Sequence, residues 1–418
     1  MSPSKIFLLI LLCFLAGIFI SSFLNLPELI ICEILVLGIF YSFLAFFFRE
    51  KEFKKVVIVF GVCLMVLGFG IFHTERAKHS GFQSQFSVFQ TSQNYSQTTQ
   101  VQNISPIFLP IEERIFPLKE KLKNLIYQNF SPPQSSILVA ILLGEKRKIS
   151  SEWKEKLNKV GVRHITAISG MHIVILSGIL LWLGMAIGLS RGRSFYFALF
   201  FLWLFIFITG TQPSAFRAGV MGSMFLFCQK IGRERQNGRA LLFTAVIILA
   251  FNPLLLRYNI GFQLSFLATL GIIYLLPVFR NWFNKLKFSE YGFGSISELL
   301  SMTFAAQIFT LPILIYNFGF FSLVSPLSNL LIVPILPYLM GFGFLFLLSG
   351  LIYQPLSFLF SLPIFLLLSY LISTVNFFCR FKLSSVNFQI SWHYLIVFYL
   401  LLAYFLHRLF KKSEKNRA

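Results

Sequence analysis

Apolar residues in this chain run in long blocks, and the length of those blocks sets the architecture. A bilayer core about 30 Å thick takes roughly 20 apolar residues per helix. Blocks of that kind recur at 6–24, 28–48, 55–72, 165–189, 194–210, 214–230, 239–251, 260–279, 297–316, 323–348, 353–378 and 390–409. They predict an all-α polytopic membrane protein with about 11–12 transmembrane helices. The block 239–251 is short and reads as a broken or tilted helix, while Pro326, Pro334 and Pro337 make 323–348 a candidate re-entrant element. The opening block is too long for a removable leader and lacks a small-x-small cleavage signal, so it is read as the first span.

Between the third and fourth blocks the pattern changes. Residues 81–105 are rich in Gln, Ser and Thr and hold too few large apolar side chains for a core, which predicts a flexible loop. LKEKLKNLIYQNF then sets Leu118, Leu122, Leu125 and Ile126 along one helical face. SSEWKEKLNKVG does the same with Trp153, Leu157 and Val160, with a cap at Ser150 or Ser151 and a stop at Gly161. Two external amphipathic helices lying on the membrane surface are expected.

Composition and charge refine this picture. The chain is 56% hydrophobic and 12% charged, with 54 phenylalanines, far more apolar than a soluble core requires. Its five cysteines, Cys13, Cys32, Cys63, Cys228 and Cys379, lie singly in the sequence, without disulfide or zinc spacing. Formal net charge is +21, and much of the excess sits in short loops: REKEFKK, RGR at 191–193, KIGRERQNGR, RNWFNKLK and the C-terminal tail. The positive-inside rule places all of these in the cytoplasm together with both termini, which leaves residues 73–163 outside. On that external segment Lys146, Arg147, Lys148, Lys154, Lys156 and Arg163 outnumber Glu145, Glu152 and Glu155. Two readings stand: these charges solvate the surface and touch lipid headgroups, or they form a rim that gathers an anionic polymer.

The polar residues that open the spans are the candidate chemistry. His164, Ser169 and His172 begin the fourth, Arg217 the sixth, Asn259, Gln263 and Ser265 the eighth and Asn329 the tenth, all in the outer half by this topology. An ionised Arg at mid-bilayer costs about 2.5–3.5 kcal/mol. Arg217 therefore either snorkels to the headgroups or faces inward, where its fork and a helix start would suit a phosphate. His164 and His172 are roughly two turns apart and about 80° off a common face, a poor arrangement for a shared metal. They serve either as packed polar groups or as the lining of a path. Ser169 and His172 project from nearly one side of one helix, whereas a nucleophile and its base usually converge from separate elements, so a hydrolase is disfavoured. Gly184 and Gly188 are spaced for close helix approach. No nucleotide-binding loop, metal motif or cofactor motif is apparent.

Four motifs in order carry a resemblance. They are VAILLGEKRKISSEWKEKLNKVGVRHITAISGMHIVIL, GTQPSAFRAGVMGSMF, NPLLLRYNIGFQLSFLATLGI and AAQIFTLPILIYNFGFFSLVSPLSNLLIVPILP, covering about residues 135–340. Together they resemble the membrane-embedded competence domain of the ComEC family of bacterial DNA-uptake channels. The matching positions are Gly144, Gly161, His164, Ser169, Gly170 and His172, then Arg217, Ala218 and Met221. The third motif matches at Asn252, Pro253, Gly261, Phe262, Gln263, Leu264, Ser265 and Phe266, and the fourth at Gln307, Pro312, Asn329 and Pro334.

The resemblance implies passage of single-stranded DNA across the cytoplasmic membrane during natural transformation, with no catalysis by this chain. It divides the sequence into an N-terminal three-span region (1–72), an external polar loop and amphipathic helix (73–134), a channel domain (135–410) and a basic cytoplasmic tail (411–418). Residues 73–116 do not supply the external OB-like domain of many members, and no His/Asp cluster matches their metallo-β-lactamase-like domain. Membrane lipids, a cytosolic ATP-driven motor, a separate nuclease and an external DNA receptor are the expected partners, and an oligomer is compatible with the family. A small-solute or lipid transporter is the competing reading, since it too would use buried polar groups and broken helices.

Overall fold

The computed structural model describes residues 3–48, 50–78, 109–209, 213–232, 237–285, 294–381, 384–388 and 390–415. The 81–105 loop lies outside the described residues. So do parts of the basic loops 230–239 and 280–287 and the end of the tail. In chain order the helices are α1 (Pro3–Phe23), α2 (Glu28–Leu44), α3 (Lys51–Ala77), α4 (Leu109–Asn129), α5 (Gln134–Leu143), α6 (Ser151–Val160), α7 (Gly170–Ala186), α8 (Arg191–Ile208) and α9 (Pro213–Ile231). There follow α10 (Asn237–Phe251), α11 (Leu255–Tyr258), α12 (Ile260–Lys285), α13 (Gly294–Phe318), α14 (Ser325–Ile332), α15 (Leu336–Ile352), α16 (Gln354–Cys379) and α17 (Trp392–Lys415). One antiparallel ribbon pairs β1 (Phe320–Ser322) with β2 (Ser385–Asn387).

Among the described residues, eight helices are long and apolar enough to cross a membrane. They match eight of the twelve expected blocks. The other four blocks are helical too. Gly170–Ala186 and Gly238–Phe251 are shorter apolar helices, Pro213–Ile231 is diluted by Arg217, Gln229 and Lys230, and Trp392–Lys415 runs from an apolar stretch into a basic end. The fourth block starts five residues late because Arg163–Thr166 forms a 3-10 turn and Ala167 and Ser169 are extended. Ser325–Ile352 is one apolar helical stretch long enough to cross a membrane, interrupted by a 3-10 turn at Val333–Ile335 that contains Pro334.

The chain forms two compact units. The first comprises Met1–Val101 and Glu234–Phe266. In it α3 packs along both α1 and α2, and the C-terminal end of α1 is closed by cations. Lys78 pairs with Glu75 at 2.8 Å and donates to the carbonyls of Ser21 and Leu24, while Arg257 donates to the Ser22 carbonyl at 2.5 Å. This is the usual complement to unsatisfied carbonyls at a helix end. Cys13 and Cys63, single in the sequence, meet across α1 and α3 as free thiols.

The second unit comprises Gln102–Arg233 and Leu267–Ala418. Its hub is α5, in which every residue from Ser135 to Leu143 is buried. The sequence does not announce this helix. QSSILVAILL is apolar all round and so has no amphipathic period, and at 10 residues it is too short to read as a span. Leu142 packs on Gly343 of α15, and Gln134 reaches Ser369 of α16. The α4 face forms as expected for Leu122, Leu125 and Ile126, which enter the same core, but Leu118 is exposed. Gly184 touches Ser194 and draws α7 against α8 as its spacing suggests. Gly188 instead ends α7 at φ 86 with open space around it, so it is a turn residue and not half of a packing pair.

Candidate functional site

The first motif folds as a sequence of short pieces that bring its basic side chains together. Leaving α5 at Gly144, the chain makes the Glu145–Ile149 loop and re-enters helix at α6, whose Ser150 hydroxyl accepts from the Trp153 amide at 3.3 Å. At Gly161 (φ 79) the chain turns, and a Cβ there would fall 2.5 Å from Ser325 Cβ, so only glycine meets both the backbone and the packing demand. The 3-10 turn and extended Ser169 then lead into α7.

Extension at Ser169 brings its hydroxyl 3.0 Å from His172 Nδ1, so the pair forms within one helix start. It ends there. His172 is fully buried, and its Nε2 makes no hydrogen bond among the described residues. His172 lies within electrostatic reach of His164 and Lys146. Arg217 is 4% exposed, which settles its direction: it faces the protein and does not snorkel.

Positive charge converges here. Lys146 is half-buried, and burial together with the charges of Arg163 and Arg217 pushes its ammonium below the ordinary 10.5. His164 reaches solvent, yet the surrounding protein pushes its imidazole below 6.5 against the opposing pull of the Gly161 carbonyl. Lys146, His164, His172, Arg163 and Arg217 are thus gathered from the α5–α6 loop, the turn before α7, α7 and α9. Among the described residues, Lys146 forms no ion pair with a carboxylate.

The other basic candidates are more committed. Lys148 lies 4.3 Å from the Tyr127 ring centre, and Lys156 pairs with Glu152 at 2.6 Å and covers Trp153. Arg163 also donates to Asn158 at 3.1 Å, Lys154 is half-buried and Arg147 is exposed.

Gln307 and Asn329 lie apart from that convergence. Gln307 donates to the Ser325 hydroxyl at 2.7 Å and Asn329 to the same oxygen at 3.4 Å, while Ser328 donates to the Val160 carbonyl at 2.9 Å. The fourth motif therefore braces the serine on which Gly161 rests. Gln263 and Ser265 belong to the first unit and act locally. Gln263 donates to the carbonyls of Leu256 and Arg257 at 2.9 and 3.0 Å, and Ser265 to Gly261 at 2.8 Å. Phe262 and Phe266 are buried against each other, their rings tilted by 34° with centres 4.4 Å apart, so both serve packing.

Sequence reasoning missed Ser325 and Ser328, which stand inside a quoted motif but look like ordinary small residues. It also missed Lys123. That side chain is 6% exposed and pairs with Glu120 at 2.6 Å and Glu145 at 3.0 Å. Burial alone would lower its ammonium, but the two carboxylates outweigh burial and hold it above 10.5. Burial and the nearby Glu145 charge likewise raise the Tyr127 phenol.

These features define a multi-pass helical membrane protein with a cationic cluster beside its buried hub. The model of the family described as Competence protein matches residues 141–412, and the chain belongs to that family. ComE operon protein 3 of Bacillus subtilis is 30% identical over 243 residues, 58% of this chain and 29% of that protein. Recombination protein 2 of Haemophilus influenzae is 24% identical over 237 residues, 53% of this chain and 29% of that protein. An uncharacterized protein of Aquifex aeolicus is 28% identical over 253 residues, 57% of this chain and 55% of that protein. The chain thus spans 28–55% of the length of the curated relatives it matches. No solved structure matches it.

Proposed function

We propose that this chain takes part in DNA uptake in competence, as the component that conducts single-stranded DNA across the bacterial cytoplasmic membrane. Family membership supports the role, and the observation that carries it is the gathering of Lys146, Arg163 and Arg217 in one cationic cluster, which this reading takes as the lining of a recess for the strand. Like charges are brought together at a cost that a passing phosphate would relieve. His164, Ser169 and His172 line or brace that recess, and Gln307 and Asn329 hold its frame. Arg147, Lys148, Lys154 and Lys156 gather DNA at its approach by long-range attraction.

In this reading both termini are cytoplasmic, as the basic loops require under the positive-inside rule. Each phosphate entering a cell that is negative inside climbs about 2.3 kcal/mol per 100 mV, so passive flow of a long strand would stall. A cytosolic ATP-driven motor, a nuclease and an external DNA receptor complete the system as separate partners, in a lipid bilayer and in an oligomer if one forms.

The test follows labelled DNA into a DNase-protected cytoplasmic pool. Arg217→Ala is expected to reduce that pool strongly. Unchanged uptake with the variant correctly inserted would overturn the reading.

A further inference from the structure

Glu145 directly precedes Lys146 in the loop GEKRK. It pairs with Lys123 and, among the described residues, with none of the cations of the cluster. Its carboxylate is held 3.0 Å from the Lys123 ammonium, which is 6% exposed and also bound to Glu120 at 2.6 Å. Lys123 is carried by α4, a helix whose neighbouring Leu122, Leu125 and Ile126 are locked in the core, so the ammonium is fixed in place. A second tie from α4 holds the same region: Lys119 donates to the Thr209 carbonyl at 3.1 Å, and Thr209 in turn lies against Gly144. Lys146, one residue from Glu145, has no carboxylate partner among the described residues and sits under the charges of Arg163 and Arg217.

We infer that Lys123 is a positioning residue for DNA capture: it sequesters the Glu145 carboxylate, which then does not compete with phosphate for Lys146, Arg163 and Arg217. The inference rests on the proposed function of the recess. A carboxylate released next to Lys146 pairs with the cations gathered there, because a loop carboxylate reaches its neighbours with far less ordering cost than a strand from solution. Each cation so neutralised leaves one fewer to bind a phosphate. An ion triad that served only the fold would show no such linkage to DNA binding.

The experiment measures single-stranded DNA binding to the purified full chain in nanodiscs as a function of salt. For a single strand the log–log salt slope is about −0.7 per phosphate neutralised. Lys123→Met, which keeps the stem and removes the charge, is expected to bind more weakly with a slope shallower by about 0.7 or more. Adding Glu145→Gln to it is expected to restore both affinity and slope, and Glu145→Gln alone is expected to leave both unchanged. A wild-type slope in Lys123→Met overturns the inference. So does a weakening that Glu145→Gln fails to rescue, since the lysine would then only hold the fold. Arg217→Ala measured alongside separates the two levels. Should it and the parent chain bind alike, the recess reading falls and this inference with it. Should Arg217→Ala bind with a shallower slope while Lys123→Met does not, only the inference falls.

Discussion

At the scale of single residues, Gly161 and Lys146 make opposite use of crowding. Gly161 is crowded by Ser325 and needs the left-handed backbone, so Gly161→Ala is expected to cost more than about 1 kcal/mol, the backbone penalty alone. Gly188→Ala meets nothing within 4 Å and should show only that backbone penalty. Thermal unfolding in detergent distinguishes them, and Ser325→Gly should partly rescue the first variant and not the second. Lys146 is crowded by charge. Its folded value lies below 10.5, so it loses its proton as pH rises before an ordinary lysine does, and the folded state then gains stability as the cost of burying its charge, and with it the repulsion from Arg163 and Arg217, is relieved. DNA capture should weaken across that same window. Lys123 has the reverse sign: its folded value lies above 10.5, so its stabilisation is complete below 10.5 and is lost only at higher pH. Competitive labelling of amines across pH should give Lys146 the lower midpoint and Lys123 the higher.

At the scale of elements, α4 and α6 were legible from spacing, and α5 was not. Amphipathic periodicity reports a helix with one wet side, so it found Leu122, Leu125, Leu157 and Val160, all of which are buried. It misassigned Leu118 because a helical face read from sequence has no end, whereas the core it meets does. Leu122→Ala is expected to destabilise by roughly 2–5 kcal/mol and Leu118→Ala by no more than about 0.5 kcal/mol, read by chemical unfolding. A helix buried on every side, such as α5, leaves no period to detect. Likewise, the sequence put the polar openings of four spans in the outer half. It did not show which partners they take: a cationic cluster, a brace around Ser325 and a local turn held by Gln263, distinctions that depend on partners more than 100 residues away, as between Val160 and Ser328.

At the scale of the whole molecule, membrane class and helical fold follow from block length, and the family from motif order. The arrangement of charge does not, because net charge counts Lys123 and Lys146 alike although one is held by two carboxylates and the other, among the described residues, by none. On the proposed function, replacing Lys146, Arg147 and Lys148 with Gln should weaken DNA capture most at low salt, with the difference shrinking as salt screens the remaining charges. No change at any ionic strength would mean that these three only solvate the surface. The all-round burial of α5 also constrains biosynthesis. Too short to span a bilayer alone, α5 has its packing partner Gly343 encoded about 200 residues later. At 5–20 residues per second, roughly 10–40 s of translation separate them. During that interval the nascent hub needs a temporary companion in the insertion machinery, and a ribosome stalled before residue 343 should leave α5 open to proteolysis that the finished chain resists.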